Sequence, residues 1–195
     1  MTPERTERLT TALNNRQTNL TVVLENVEDP HNISAVMRTA DSVGIQDIYV
    51  LTTLIPRHKN YGHRSSSSAK RWLTIHEFDN TEECIAALRK RYDRILTTHL
   101  SSDAISLYDI DFKESIALVF GSERFGVSEA MQKAADGNFL IPQLGIIRSL
   151  NISVACAVSI YEAMRQKKLA GHYDQSYMPK EQYDLLATDW GLNEA

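Results

Sequence analysis

The sequence predicts an α/β fold, a mostly parallel sheet covered by helices, on three observations. Short apolar runs alternate with segments whose apolar residues recur at helical spacing, the order that βα units produce. The runs are apolar at nearly every position, as in Ile116-Ala-Leu-Val-Phe120, which is the pattern of a buried strand. Turn and cap residues separate the two kinds of segment, with Pro30, Gly44, Gly121 and Ser128 at the expected boundaries. At 195 residues, 43% hydrophobic and 24% charged, the chain suffices for one good core and falls short of two ordinary domains. We expect a single domain over residues 1–195, with an N-terminal helical extension at 1–18 and a helical tail at 172–195.

In chain order, a polar helix is expected at 3–15 and a strand at 20–25. The next helix takes Asn32 as its cap, Pro30 just ahead of it and Gly44 as its stop. Ile33, Val36, Met37, Ala40 and Val43 form one apolar stripe on that helix. At about 100° per residue, Arg38 lies roughly 140° round from Ile33 and points away from the core. Further strands are expected at 47–51, 94–98, 116–120 and 139–141, with a short one around 72–76, and helices at 81–92, 128–134, 150–170 and 179–190. The 150–170 helix, apolar or small on nearly every face, reads as buried, with Ser149 and Asn151 at its mouth. By itself Ser149 reads as an ordinary helix cap.

Composition excludes several classes of function. No uninterrupted apolar span reaches membrane length, and residues 1–20 are polar, without a signal-peptide pattern. Cys84 and Cys156 show no Cys-x-x-Cys spacing, so neither a disulfide framework nor a thiolate metal site is expected, and a reducing cytoplasm fits. No two of the six histidines stand four apart as metal ligands would, so no metal is expected. Gly121-Ser-Glu-Arg-Phe-Gly126 lacks the spacing of a dinucleotide fingerprint, and Val127-Ser128 stands where a P-loop needs lysine. The net charge of −4 conceals a local segregation: residues 54–76 contain no acid but hold Arg57, Lys59, Arg64, Lys70 and Arg71 with three histidines. Tyr61 and Trp72 lie among these charges as faces for stacking unpaired bases, and Ser65–Ser68 reads as a mobile loop, so the segment is expected to bind RNA. A second basic cluster, Arg165, Lys167 and Lys168, reads as complementing a helix C-terminus.

Three segments place polar residues at strand-to-helix junctions, where open α/β sheets build ligand sites. They carry Asn32 and Arg38, then Gly121, Glu123 and Gly126, then Ile141, Pro142, Gly145, Ser149, Leu150, Asn151 and Ser153. In this order the chain resembles the SPOUT class of RNA methyltransferases, and more closely its SpoU branch, whose members methylate ribose 2′-hydroxyls. The resemblance covers nearly the whole chain. It implies a homodimer with a C-terminal trefoil knot, S-adenosylmethionine as cofactor and tRNA as partner, with a guanosine of the tRNA D loop, position 18, as target. Another tRNA position, a ribosomal RNA, or a non-catalytic RNA-binding protein of the same fold are the alternatives. Carried over by motif, the catalytic set is Arg38, Asn32, Glu123, Ser149 and Asn151. The cofactor set is Thr98, Gly121, Ser122, Glu123, Arg124, Phe125, Ile141 and Leu150, most of them acting through backbone groups.

Overall fold

The computed structural model describes residues 1–58, 61, 69–99, 101–147 and 149–193. Seven parallel strands form one sheet in the order β3-β2-β1-β6-β4-β7-β5. The strands are β1 (Leu20–Glu25), β2 (Asp47–Leu51), β3 (Thr74–Phe78), β4 (Arg94–Thr98), β5 (Ile105–Ser106), β6 (Ile116–Gly121) and β7 (Gly137–Leu140). The helices are α1 (Pro3–Asn14), α2 (Pro30–Ser42), α3 (Thr81–Arg89), α4 (Glu129–Ala134), α5 (Ile152–Leu169) and α6 (Lys180–Asp189). Strand alternation splits the core between the two faces. Val22 and Leu24 of β1 join Ile33, Val36 and Met37 of α2 and Cys156 and Ile160 of α5 on one face. Val23 joins Cys84 and Leu88 of α3 and Met131 of α4 on the other. A separate cluster closes α1 against α6 through Leu9, Leu13, Leu186 and Trp190.

Two helix starts differ from expectation for a local reason. Asp29, not Asn32, caps α2: its carboxylate accepts from the His31 N–H at 2.8 Å, and Pro30 occupies the first helical position, where its missing N–H costs nothing. Asn32 therefore lies inside the first turn. Asn151, not Ser149, caps α5, and Ser149 is exposed two residues ahead of it. The α2 stop is as expected, with Gly44 at φ +82° and the Ile45 N–H bonded back to the Ala40 carbonyl at 3.0 Å. The edge strand β3 begins at Thr74, because Ala69–Trp72 forms a 3-10 turn whose Trp72 ring packs edge-on against Trp190, 5.3 Å between centroids. Strand β7 ends at Leu140, one residue before Ile141. Helix α5 is buried along one side only, and Val154 and Tyr161 are 47% and 46% exposed.

Candidate active site at the carboxyl ends of the strands

Strands β1 and β6 lie side by side, with Glu25 opposite Gly121, and the chain order runs outward in opposite directions from this pair. That reversal is where open α/β sheets accept ligands. The segment after β1 leads into α2 with Asn32, and the segment after β6 carries Glu123. The segment after β7, next but one to β6, leads to Asn151 and α5.

The three segments meet at the Asn151 side chain. Its Nδ2 donates to Asn32 Oδ1 at 3.2 Å and to Glu123 Oε1 at 3.0 Å. Its Oδ1 accepts from the Ser153 N–H at 2.9 Å and the Ser153 hydroxyl at 2.6 Å. Residues 119 apart in sequence are thus in contact because α2 packs against α5 with both helix starts at the same end of the sheet. Arg38 lies exposed on α2, on the side away from the buried Ile33, Val36 and Met37. Ser149 is exposed in the segment leading to the cap.

The loop holding Glu123 is tightly fixed. A Cβ on Gly121 would stand 2.0 Å from the Gly126 carbonyl carbon, so only glycine allows the chain to fold back there. Gly126 takes φ +65°, its N–H bonds the Ser122 carbonyl at 2.9 Å, and the Phe125 N–H bonds the Ser122 hydroxyl at 3.0 Å. The loop presents Glu123, Arg124 and Phe125 to solvent. Arg124 lies over the Phe125 ring, 5.0 Å from its centroid, and 3.8 Å from Glu28. The Thr98 hydroxyl donates to the Val119 carbonyl at 3.2 Å, Ile141 packs against the core, and Leu150 is 36% exposed.

Two residues that sequence reasoning passed over support this end of the sheet. Asn26 adopts φ +51°, a conformation asparagine tolerates well, and its Oδ1 accepts from the Thr53 and Leu54 N–H groups at 2.8 and 2.9 Å. It ties the end of β1 to the start of the basic segment. Glu25 is fully buried and accepts from the Ser128 N–H at 2.9 Å, joining β1 to α4. An acid closing an otherwise apolar strand was the available signal.

The basic segment differs from expectation. Arg57, Lys70 and Arg71 are exposed, while Lys59, Arg64 and Ser65–Ser68 lie outside the described residues. Tyr61 is buried, bonded through its hydroxyl to Glu77, with the Lys70 ammonium 5.1 Å over its ring. Arg71 covers Trp72 at 5.1 Å. Neither ring is an open face for a base. His58 bonds the Val27 carbonyl, and His76 bonds Asp47 while stacked on Tyr49, so both are structural. In the second cluster, Arg165 pairs with Glu162, and Lys167 is fully buried with its Nζ 2.9 Å from Asn19 Oδ1. Burial lowers the Lys167 ammonium to about 8. Among the described residues no helix is long and apolar enough to cross a membrane.

Residues 19–161 match the model of the SpoU rRNA Methylase family. Over 191 residues the chain is 37% identical to a tRNA (guanosine(18)-2'-O)-methyltransferase of Thermus thermophilus, covering 97% of this chain and 96% of that one. The solved TrmH/SpoU tRNA modifying enzyme of A. aeolicus superposes with a TM-score of 0.88 at 30% identity, over 98% of this chain and 97% of that one. The AdoMet-bound rRNA methyltransferase of Sinorhizobium meliloti superposes at 0.69 with 26% identity, over 80% of this chain and 59% of that one. With the family's three motifs brought to one end of a parallel sheet and both sequence and backbone aligning over almost their whole length, the chain belongs to the SpoU methylase family.

Proposed function

We propose that the chain methylates a ribose 2′-hydroxyl of tRNA, at guanosine 18 of the D loop, using S-adenosylmethionine. The observation that carries the reading is the junction of Asn32, Glu123 and Asn151 in a chain that aligns from end to end with a tRNA (guanosine(18)-2'-O)-methyltransferase. The relatives' printed substrates supply the tRNA, and the AdoMet-bound relative supplies the cofactor.

A ribose hydroxyl is a weak nucleophile, so its proton must leave and the developing negative charge must be stabilised. Arg38 is a permanent cation, and we assign it the electrostatic role of holding an RNA phosphate and the developing oxyanion. Proton removal then falls to a neighbouring phosphate or water. Asn32 and Glu123 orient the ribose, and Asn151 holds both of them in place. Exposed Ser149 offers a further hydroxyl beside the helix start.

Thr98 and Gly121 end the adjacent strands β4 and β6, Ser122 through Phe125 follow β6, and Ile141 and Leu150 follow β7; together they would hold the cofactor. They fit it: Ile141, Leu150 and Phe125 offer apolar surface for an adenine, and the fold-back at Gly121 fixes the backbone of the Ser122–Phe125 loop beside them. S-Adenosylmethionine supplies the electrophilic methyl carbon. Around this mouth Leu144 and Ile146 are 103% and 99% exposed, and Ile147 is 75% exposed, which favours a homodimer with Arg38 of one subunit serving the pocket of the other. The trefoil knot, one domain over residues 1–195 and a cytoplasmic setting suited to two buried free thiols belong to the same reading. Incubation with methyl-tritiated S-adenosylmethionine and tRNA transcripts tests it. One methyl per transcript is expected on guanosine 18, and none on a transcript already 2′-O-methylated there. Label on another nucleotide, or none on any tRNA, overturns it.

A further inference from the structure

The amide of Asn151 has two N–H donors and two acceptor positions on its oxygen, and all four are used within the chain. No group of this side chain is left for a substrate. Asn151 is thus a positioning residue, and what it positions depends on which way its amide faces. The oxygen faces two donors, the N–H and hydroxyl of Ser153, and the nitrogen faces two acceptors, Asn32 Oδ1 and Glu123 Oε1. In the opposite orientation the amide oxygen would oppose the Glu123 carboxylate oxygen and an amide N–H would oppose the Ser153 backbone N–H, so these two groups select the orientation and the Ser153 hydroxyl adds a further bond to it. We propose that Ser153 is a positioning residue for methyl transfer, its hydroxyl restraining the Asn151 amide in the orientation that Glu123 and the Ser153 N–H select, so that Asn32 and Glu123 are held in place. At 2.6 Å its hydrogen bond is the shortest of the four.

The lock also sets which atoms meet the ribose. Asn32 uses its oxygen inward, so its amide N–H groups are the ones left to face outward. Glu123 uses Oε1 inward, so Oε2 is the acceptor presented. A ribose edge, with a hydroxyl that both donates and accepts, matches one such donor beside one such acceptor.

Ser153 is separable from the fold. The helix cap uses its backbone N–H, which alanine and threonine keep, and its half-buried side chain lies in the first turn of α5. Ser153→Ala should therefore leave the melting temperature and S-adenosylmethionine affinity unchanged while lowering kcat about three- to tenfold, the scale of one hydrogen bond in a transition state. KM for tRNA should stay within about twofold, and Ser153→Thr, which restores a hydroxyl, should recover the rate. This kinetic arm rests on the methyl-transfer reading, so a second arm does not. With the asparagines labelled by 15N, the Asn151 side-chain amide hydrogens should exchange slowly with solvent in the wild type and Ser153→Thr, and faster in Ser153→Ala. Unchanged exchange in Ser153→Ala refutes the lock, whatever the chain methylates. Faster exchange with an unchanged kcat in an active enzyme refutes its part in turnover. A wild type inactive on every tRNA, with the exchange difference present, overturns the methyl-transfer reading and supports the lock alone.

Discussion

Asn151 caps α5 with its oxygen and joins three motifs with its nitrogen, and two substitutions separate these jobs. Asn151→Ala removes both. Loss of a cap costs about 1 kcal/mol, which for a chain of this size lowers Tm by about 2–4 °C. Asn151→Asp keeps the acceptor facing Ser153 and adds negative charge at a helix N-terminus, so Tm should hold or rise slightly. It nevertheless replaces a donor 3.0 Å from Glu123 Oε1 and 3.2 Å from Asn32 Oδ1 with a second carboxylate oxygen. Two unit charges at about 3 Å repel by about 1.4 kcal/mol even at the dielectric of water, one pH unit for a proton shared between them. Methyl transfer by Asn151→Asp should therefore be lost near pH 8 and partly return as the pH falls, when that proton restores a donor. Melting curves and single-turnover rates between about pH 5 and 8.5 measure both effects. An Asn151→Asp profile parallel to that of the wild type, or a Tm loss equal to that of Asn151→Ala, would refute the division of roles.

Arg38→Ala opens no core cavity, since the side chain is exposed, so folding and cofactor affinity should be retained while methyl transfer falls by about a hundredfold or more; near wild-type turnover would remove Arg38 from the mechanism. Burial lowers the Lys167 ammonium from 10.5 to about 8, so the unfolded chain binds the proton more tightly and stability rises with pH between those values, by up to ~3 kcal/mol. Urea midpoints at pH 7.5 and 10 should show this rise, and Lys167→Met should be more stable at pH 7.5 and show a smaller rise. Replacing Arg57, Lys70 and Arg71 with Ala should flatten the slope of log tRNA affinity against log salt by about one unit per lost contact, and an unchanged slope returns the segment to a solvated surface. Sedimentation at micromolar concentration should give twice the chain mass of 22.1 kDa, and a fully active monomer would end the shared-site reading.

How legible each part was depends on where its determinants lie. The ends of β1, β2 and β4 were readable to the residue, because short runs rich in aliphatic, Tyr and Thr residues with a charged residue at one end are a local signal. The edge was less so: Thr74-Ile-His-Glu-Phe78 has no apolar bias, and whether Trp72 belongs to it depends on Trp190, 118 positions away. The two displaced caps are local errors. Asp29-Pro30 already forms a cap and first helical residue, which the reading of Asn32 overlooked. Lys167 and Tyr61 were assigned to the surface by type, and only long-range packing, against Asn19 and Glu77, makes them interior. For the site, the three motifs were visible as residues. Their common point was not, because it requires β6 beside β1, a pairing that no local pattern encodes.

That pairing also explains how a chain with net charge −4 presents a site for an anionic substrate. The strands are parallel, so the helices that follow β1 and β7 both begin at the end of the sheet where those strands finish. The contact between Asn32 and Asn151 brings the N-termini of a 13-residue and an 18-residue helix together. Each contributes partial positive charge there, and Arg38 adds a full one on the exposed face of α2. Two acids share this field: Glu123 is held by an Asn151 N–H, and Asp29 caps α2 through the His31 N–H. Several acids elsewhere are paired, Asp47 with Arg91 and His76, Asp136 with Arg89 and Glu162 with Arg165. Two converging helix starts and Arg38 thus set positive charge against the Glu123 and Asp29 carboxylates, a local balance that the net charge of the chain does not report.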